Sequence, residues 1–176
     1  FNGPSTVAAF IGAPISAEEA SVVPGDEYWP MVREICDKYG VLIIADEVVT
    51  GFGRTGKMFG VEHSGVIPDL MSVAKGLTST YLPMGAVIAT REVAEVFAGE
   101  ENVFPQALTF GGHPVSATAA LKNIEIIERD KLVENSAKTG AYFLSQLHEL
   151  KREHKIIGEA RGMGLLLGLE LVSDQQ

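Results

Sequence analysis

Two residues of this chain combine a reactive type with a position from which it could be used. Asp46 follows the apolar run Val41-Leu42-Ile43-Ile44-Ala45, and Lys75 follows Leu70-Met71-Ser72-Val73-Ala74. Each run delivers a titratable group at its carboxyl end. A lysine amine drawn partly out of water is a nucleophile that condenses with an aldehyde. A carboxylate set against a pyridine nitrogen keeps that nitrogen protonated, so that the ring can accept the electrons of a substrate carbanion. Pyridoxal-phosphate catalysis needs an amine and a carboxylate in these two roles. By spacing alone each residue also has a plain alternative, Asp46-Glu47 as a polar strand exit and Lys75-Gly76 as a turn.

The elements that must position these groups follow from hydrophobic patterning. Residues 6–13, 41–45, 70–74 and 85–90 are short apolar runs of the kind buried on both faces of a sheet. Between the first two, Met31, Val32, Ile35, Cys36 and Tyr39 recur at helical spacing. Pro30 suits a first helical turn there and Gly40 supplies a stop. Strand, helix, strand implies parallel pairing through a crossover, and ligands of such sheets collect at the carboxyl ends of the strands. Asp46 and Lys75 both stand there. The expected fold is α/β, a mainly parallel sheet flanked by helices. Beyond Thr90 the pattern turns helical, with one helix expected over residues 114–128. Asp130 is placed to cap a second helix through Leu132, Leu144 and Leu147 towards Leu150. Residues 156–157 and 165–172 read as strands of a new sheet, so a domain boundary is expected near residue 130, dividing 1–130 from 131–176.

Bulk properties exclude several classes of function. The 176 residues are 46% hydrophobic and 21% charged, the balance of a soluble globular chain. A net charge of −9 argues against a nucleic-acid partner, which would demand clustered Lys and Arg. The one cysteine, Cys36, excludes an internal disulfide and reads as a small core residue. No apolar run is long enough for a bilayer, and no basic-then-apolar leader opens the chain, so a cytoplasmic protein with no membrane contact is expected. His63, His113, His148 and His154 lack metal-ligand spacing, and no metal is expected. Tyr28 and Trp29 read as anchors at a helix start. Gly51, Gly53 and Gly56 imitate a dinucleotide fingerprint, but no helical pattern begins there and turn geometry is the better account. The chain opens Phe1-Asn2-Gly3-Pro4 without methionine and closes directly after an apolar run, as expected of a segment of something longer.

Four ordered motifs carry a family resemblance. Leu42-Ile43-Ile44-Ala45-Asp46-Glu47-Val48-Val49-Thr50-Gly51-Phe52-Gly53-Arg54-Thr55-Gly56 resembles the cofactor-ring motif of class III (fold-type I, ω-transaminase-like) pyridoxal-phosphate-dependent aminotransferases. Pro68-Asp69-Leu70-Met71-Ser72-Val73-Ala74-Lys75-Gly76-Leu77 resembles their lysine motif, at the family's spacing. Thr109-Phe110-Gly111-Gly112-His113-Pro114 and Arg161-Gly162-Met163-Gly164-Leu165-Leu166 resemble two further signatures.

The resemblance implies roles residue by residue. Lys75 would hold pyridoxal 5'-phosphate through an imine and move the proton in catalysis. Asp46 would pair with the pyridinium nitrogen, and Val48 would pack on the ring. Thr109 would bind the cofactor phosphate of the neighbouring subunit, which implies a homodimer with shared active sites. Arg161 would bind a substrate carboxylate. Residues 1–130 would be the C-terminal part of the large cofactor-binding domain, and 131–176 the start of the small C-terminal domain. The implied reaction is ping-pong transfer of an amino group from an amine or amino acid to an α-keto acid. A racemase or aminomutase of the same family, or an inactive fragment, is the alternative. Two departures stand out. Many members have Glu-Pro where this chain has Ala13-Pro14, and Ala13 cannot mask the substrate arginine as that glutamate can. The family's phosphate-cradling loop and ring-stacking aromatic have no counterpart in the chain.

Overall fold

The computed structural model describes residues 3–99 and 101–173. Strands β1 (Ala9–Gly12), β2 (Leu42–Asp46), β3 (Leu70–Val73) and β4 (Ala86–Ala89) form one sheet in the order β1-β2-β3-β4. The first three run parallel and β4 runs antiparallel to β3. The parallel expectation thus holds up to β3 and fails at β4. The reason is local: parallel pairing needs a substantial crossover, usually a helix. Between β3 and β4 lies only one 3-10 turn, Lys75–Leu77, with irregular chain.

Helix α1 (Tyr28–Tyr39) supplies the crossover from β1 to β2 and covers one face. Its inner side places Trp29 and Cys36 in a buried cluster with Val41, Ile43, Ala45, Val61 and Val66. Trp29 meets Phe10 edge-on at 6.1 Å and Tyr28 at 5.9 Å, fixing the start of the helix. At its other end Gly40 adopts φ 65 and donates back to Cys36 and Asp37, a left-handed stop that glycine makes without steric cost.

A charged clamp reinforces this packing. Arg33 of α1 donates to Asp69 at 2.8 Å, and Asp69 also accepts from the Ile43 amide at 2.7 Å. One carboxylate therefore ties α1 to β2 at the entrance to β3. Burial opposes the charge on Asp69, but the Arg33 hydrogen bond, the Ile43 amide and the Arg33 charge outweigh it and hold the carboxyl below its ordinary range. A depressed carboxylate stabilises the fold above its unfolded-state pKa and loses that contribution as pH falls through the folded-state value. The two side chains are only 21% and 24% exposed, so this pair should exceed an ordinary surface ion pair. In the full-length protein Asp69→Asn should cost about 1–3 kcal/mol at neutral pH. Thermal unfolding across a pH series checks this: the gap to the unaltered protein should close in acid. A gap that stays constant down to low pH would contradict it.

The remainder consists of α2 (Arg91–Glu95), α3 (Pro114–Arg129), α4 (Leu132–Glu153), β5 (Ile157–Met163) and β6 (Leu166–Leu171). β5 and β6 form a separate antiparallel hairpin, with α4 against it. Asp130 does not cap α4. It closes α3, and its carboxylate is taken by Arg129 at 2.7 and 2.8 Å, while Lys131 turns the chain at φ 51 into α4.

The glycine spacing at 51–56 does serve a turn. Gly53 and Gly56 adopt φ 90 and 87, and a Cβ on Gly56 would come within 2.9 Å of Ala137 in α4. The same turn receives the hairpin: the Arg54 carbonyl accepts from the Leu165 amide at 2.9 Å and from Ser136 Oγ at 3.0 Å. Among the described residues no helix is long and apolar enough to cross a membrane.

Candidate active site

The parallel pairing of β2 with β3 puts Asp46 opposite Ser72, so both strands release their chains at the same edge of the sheet. Asp46 Oδ1 accepts from the Val48 amide at 3.1 Å and from Ser72 Oγ at 3.2 Å. Its other oxygen, Oδ2, has no hydrogen-bond partner among the described residues. The carboxylate is thus oriented by one oxygen and left open at the other. Just past the end of β3, Lys75 opens the 3-10 turn with φ 37, a backbone conformation uncommon outside glycine. Its amine engages no carboxylate or carbonyl among the described residues.

Asp46, Val48 and Lys75 line a single cavity of about 260 Å³, together with Ala13, Ile15 and Thr50. Lys75 also borders an adjoining cleft of about 390 Å³, walled by Phe52, Arg54 and Ser79 and by Leu132 and Ser136 of α4. A free amine and a free carboxylate oxygen in one partly apolar cavity suit a ligand with both an aldehyde and a protonated ring nitrogen. The donor set therefore fits pyridoxal phosphate at its ring.

The other two expected site residues lie elsewhere. Thr109 is exposed and lines a separate depression of about 460 Å³ with Met84, Phe110, His113 and Ser116. Arg161, on β5, lines neither cavity that Lys75 borders. Its guanidinium donates to Glu170 at 2.7 Å, to Glu159, and to the Ala20 and Glu19 carbonyls at 3.1 and 3.4 Å. Two carboxylates of its own hairpin therefore neutralise it, where Ala13 offers none.

Two residues of the site escape sequence reasoning. Glu47 is fully buried and accepts from Thr50 Oγ1, from the Gly60 amide at 2.8 Å and from the Val61 amide at 2.7 Å. It pins the loop that bears Val48 and Thr50, and so shapes the cavity wall. Thr50 is a near neighbour, but its two amide partners, Gly60 and Val61, lie more than a dozen residues away and nothing in the local sequence announces them. Asn123 of α3 reaches the Lys75 turn through Gly76, Leu77 and Ser79. In the sequence it is one polar residue on an otherwise ordinary helix.

Comparison with known proteins agrees with this architecture. The aminotransferase class-III family model matches residues 2–176. The chain is 47% identical over 175 residues to a putrescine–pyruvate aminotransferase of Pseudomonas aeruginosa, covering 99% of this chain and 38% of that one. It superposes with TM-score 0.94 on an (S)-enantioselective omega-transaminase from Thermomicrobium roseum, at 47% identity and covering 98% of this chain and 38% of that one. An amine transaminase from an uncultivated Pseudomonas species, in its PLP-bound (internal aldimine) form, gives TM-score 0.94 at 43% identity, covering 98% and 40% of the two chains. The chain belongs to the class-III aminotransferases, fold-type I enzymes that depend on pyridoxal 5'-phosphate. It spans about 38% of the length of the curated relative.

Proposed function

We propose that the full-length protein transfers an amino group from an amine or amino acid to an α-keto acid, using pyridoxal phosphate held at Lys75. The observation that carries this reading is the shared cavity in which the Lys75 amine and one Asp46 oxygen both stand without protein partners. When bound there, the cofactor supplies an electron sink for the pair left behind when a proton leaves the carbon beside the substrate nitrogen.

The chain's own residues would do the rest. Lys75 Nζ would hold the cofactor at its aldehyde carbon and, when not so engaged, would be the base that takes the substrate proton and the acid that returns it. Asp46 Oδ2 would accept a hydrogen bond from the ring nitrogen and keep it protonated, while Val48-N–H and Ser72-O–H hold the carboxylate in place through Oδ1. Val48, which lines the same cavity, would pack against the ring and keep water from that side.

In this reading the protein is a cytoplasmic homodimer. Thr109 then reaches the cofactor phosphate of the neighbouring subunit, a role consistent with its exposed position away from the Lys75 cavity. The chain divides near residue 130, with α4 and the β5–β6 hairpin opening a second domain. Arg161 could meet a substrate carboxylate only by leaving Glu159 and Glu170, so substrate recognition at this residue would involve exchange of one carboxylate for another.

The test is net transfer. Full-length protein loaded with pyridoxal phosphate is incubated with a panel of diamines, amino acids and aminosulfonates against pyruvate and 2-oxoglutarate. At least one donor should be consumed mole for mole with formation of alanine or glutamate. Inversion or isomerisation of a donor with no new amino acid would instead assign a racemase or aminomutase.

A further inference from the structure

The turn that carries Lys75 is held in an unfavourable conformation, and one of the groups that hold it comes from a different element. Three non-glycine residues in this short segment lie in the left-handed region: Lys75 at φ 37, Ser79 at φ 48 and Thr80 at φ 60. Such residues persist only where their surroundings over-determine them. Within the turn the Leu77 amide reaches the Ala74 carbonyl at 2.8 Å, the Thr78 and Thr80 amides reach the Lys75 carbonyl at 3.3 and 3.2 Å, the Ser79 amide reaches Gly76 at 3.4 Å, and Thr78 Oγ1 donates to the Leu82 carbonyl at 2.6 Å. Among the described residues, the hydrogen bonds that reach the turn from another element belong to Asn123. Its Nδ2 donates to the Gly76 carbonyl at 2.8 Å and to the Leu77 carbonyl at 3.2 Å. Its Oδ1 accepts from Ser79 Oγ at 2.7 Å.

Asn123 is buried on α3, where both donors and its acceptor would otherwise be left without water. One side chain thus clamps both ends of the turn, at the residues directly after Lys75 and at Ser79. The packing leaves little slack: a Cβ on Gly76 would lie 3.0 Å from Phe52 Cβ and 3.3 Å from the Gly51 carbonyl.

We propose that Asn123 is a positioning residue for Lys75, fixing the strained turn so that the amine stands in the cofactor cavity before the cofactor arrives. This rests on the reading of Lys75 as the cofactor lysine and adds a determinant on α3. If the clamp is lost, the Lys75 backbone relaxes away from φ 37 and its amine samples the adjoining cleft as well as the cavity.

Asn123→Asp tests this best. It keeps the shape and the acceptor for Ser79 but removes both donations to the carbonyls and sets a negative charge against them. Ser79→Ala removes only the third bond. Full-length protein is stripped of cofactor and remixed with pyridoxal phosphate, and the growth of the visible absorbance of lysine-bound cofactor is followed with time. Thermal unfolding of each stripped protein is measured alongside. Asn123→Asp should take up the cofactor about tenfold more slowly, and Ser79→Ala roughly threefold more slowly, in proteins that are still folded at the assay temperature. A clamp that merely stabilised the α3 contact would lower the unfolding midpoint and leave the uptake rate unchanged. Equal uptake rates in all three proteins would therefore overturn the inference alone. No visible absorbance in the unaltered protein would overturn it together with the assignment of Lys75. Should Asn123→Asp fail to fold, Ser79→Ala decides by the same criterion, slower uptake supporting the clamp and equal uptake refuting it.

Discussion

Full-length protein carrying Lys75→Ala is expected to lose the visible absorbance of bound cofactor and to fall in kcat by a factor on the order of 10⁴ or more. The size follows from the number of tasks assigned to one nitrogen. In the proposed function Lys75 Nζ would both retain the cofactor and carry the proton, so its loss would remove covalent attachment and general-base catalysis together. The fold should barely notice. The amine makes no hydrogen bond or ion pair among the described residues, and Lys75 is exposed. Thermal midpoints of the two proteins should agree within a few degrees. Lys75→Arg sharpens the comparison, because arginine keeps the positive charge and much of the length but is not a usable nucleophile near neutral pH. It should be as inactive as the alanine variant. Substantial turnover by either would show that the lysine contributes charge or packing rather than chemistry.

Asp46→Asn should be the next most damaging change, lowering kcat by roughly 10²–10⁴ with a smaller effect on substrate KM. Asparagine preserves the shape and can still accept from the Val48 amide and Ser72 Oγ with its carbonyl oxygen. What it loses is the negative charge on the open oxygen. In its place would stand an amide, donating where the proposed ring nitrogen would need an acceptor. On the proposed role of Asp46, the ring nitrogen would then no longer be held protonated, and the electron sink would weaken just when the substrate proton leaves. Because this interaction matters most in the transition state, the loss should fall on kcat. Steady-state kinetics of the full-length variant check this. An Asp46→Asn enzyme with unchanged kcat would place the carboxylate outside the reaction.

Much of this arrangement could be read from the chain alone because the signals are local. The runs before Asp46 and Lys75 are short and apolar, and β2 and β3 do deliver both residues to one edge. Helix α1 was readable through its spacing and the Gly40 stop, and Cys36 and Trp29 are in the core as their patterning implies. What could not be read depends on partners distant in sequence. The direction of β4 turns on the absence of a crossover helix, which an apolar run of four residues cannot reveal. Asp130 looks like a cap until Arg129 takes its carboxylate. Glu47 and Asn123 matter because of Gly60, Val61, Gly76 and Leu77, and none of these contacts leaves a periodic trace. Arg161 illustrates the converse. Its motif was easy to see, but its two carboxylate partners, Glu159 and Glu170, only meet it when the hairpin closes.

The central claim is that Lys75, and no other lysine, bonds to pyridoxal phosphate. Borohydride reduction of the loaded full-length protein, followed by proteolysis and mass spectrometry of the peptides, tests it directly. A single phosphopyridoxyl mass increment on the peptide containing Lys75 is the predicted result. An increment confined to another lysine, or none at all in protein that retains the cofactor's absorbance, would contradict it.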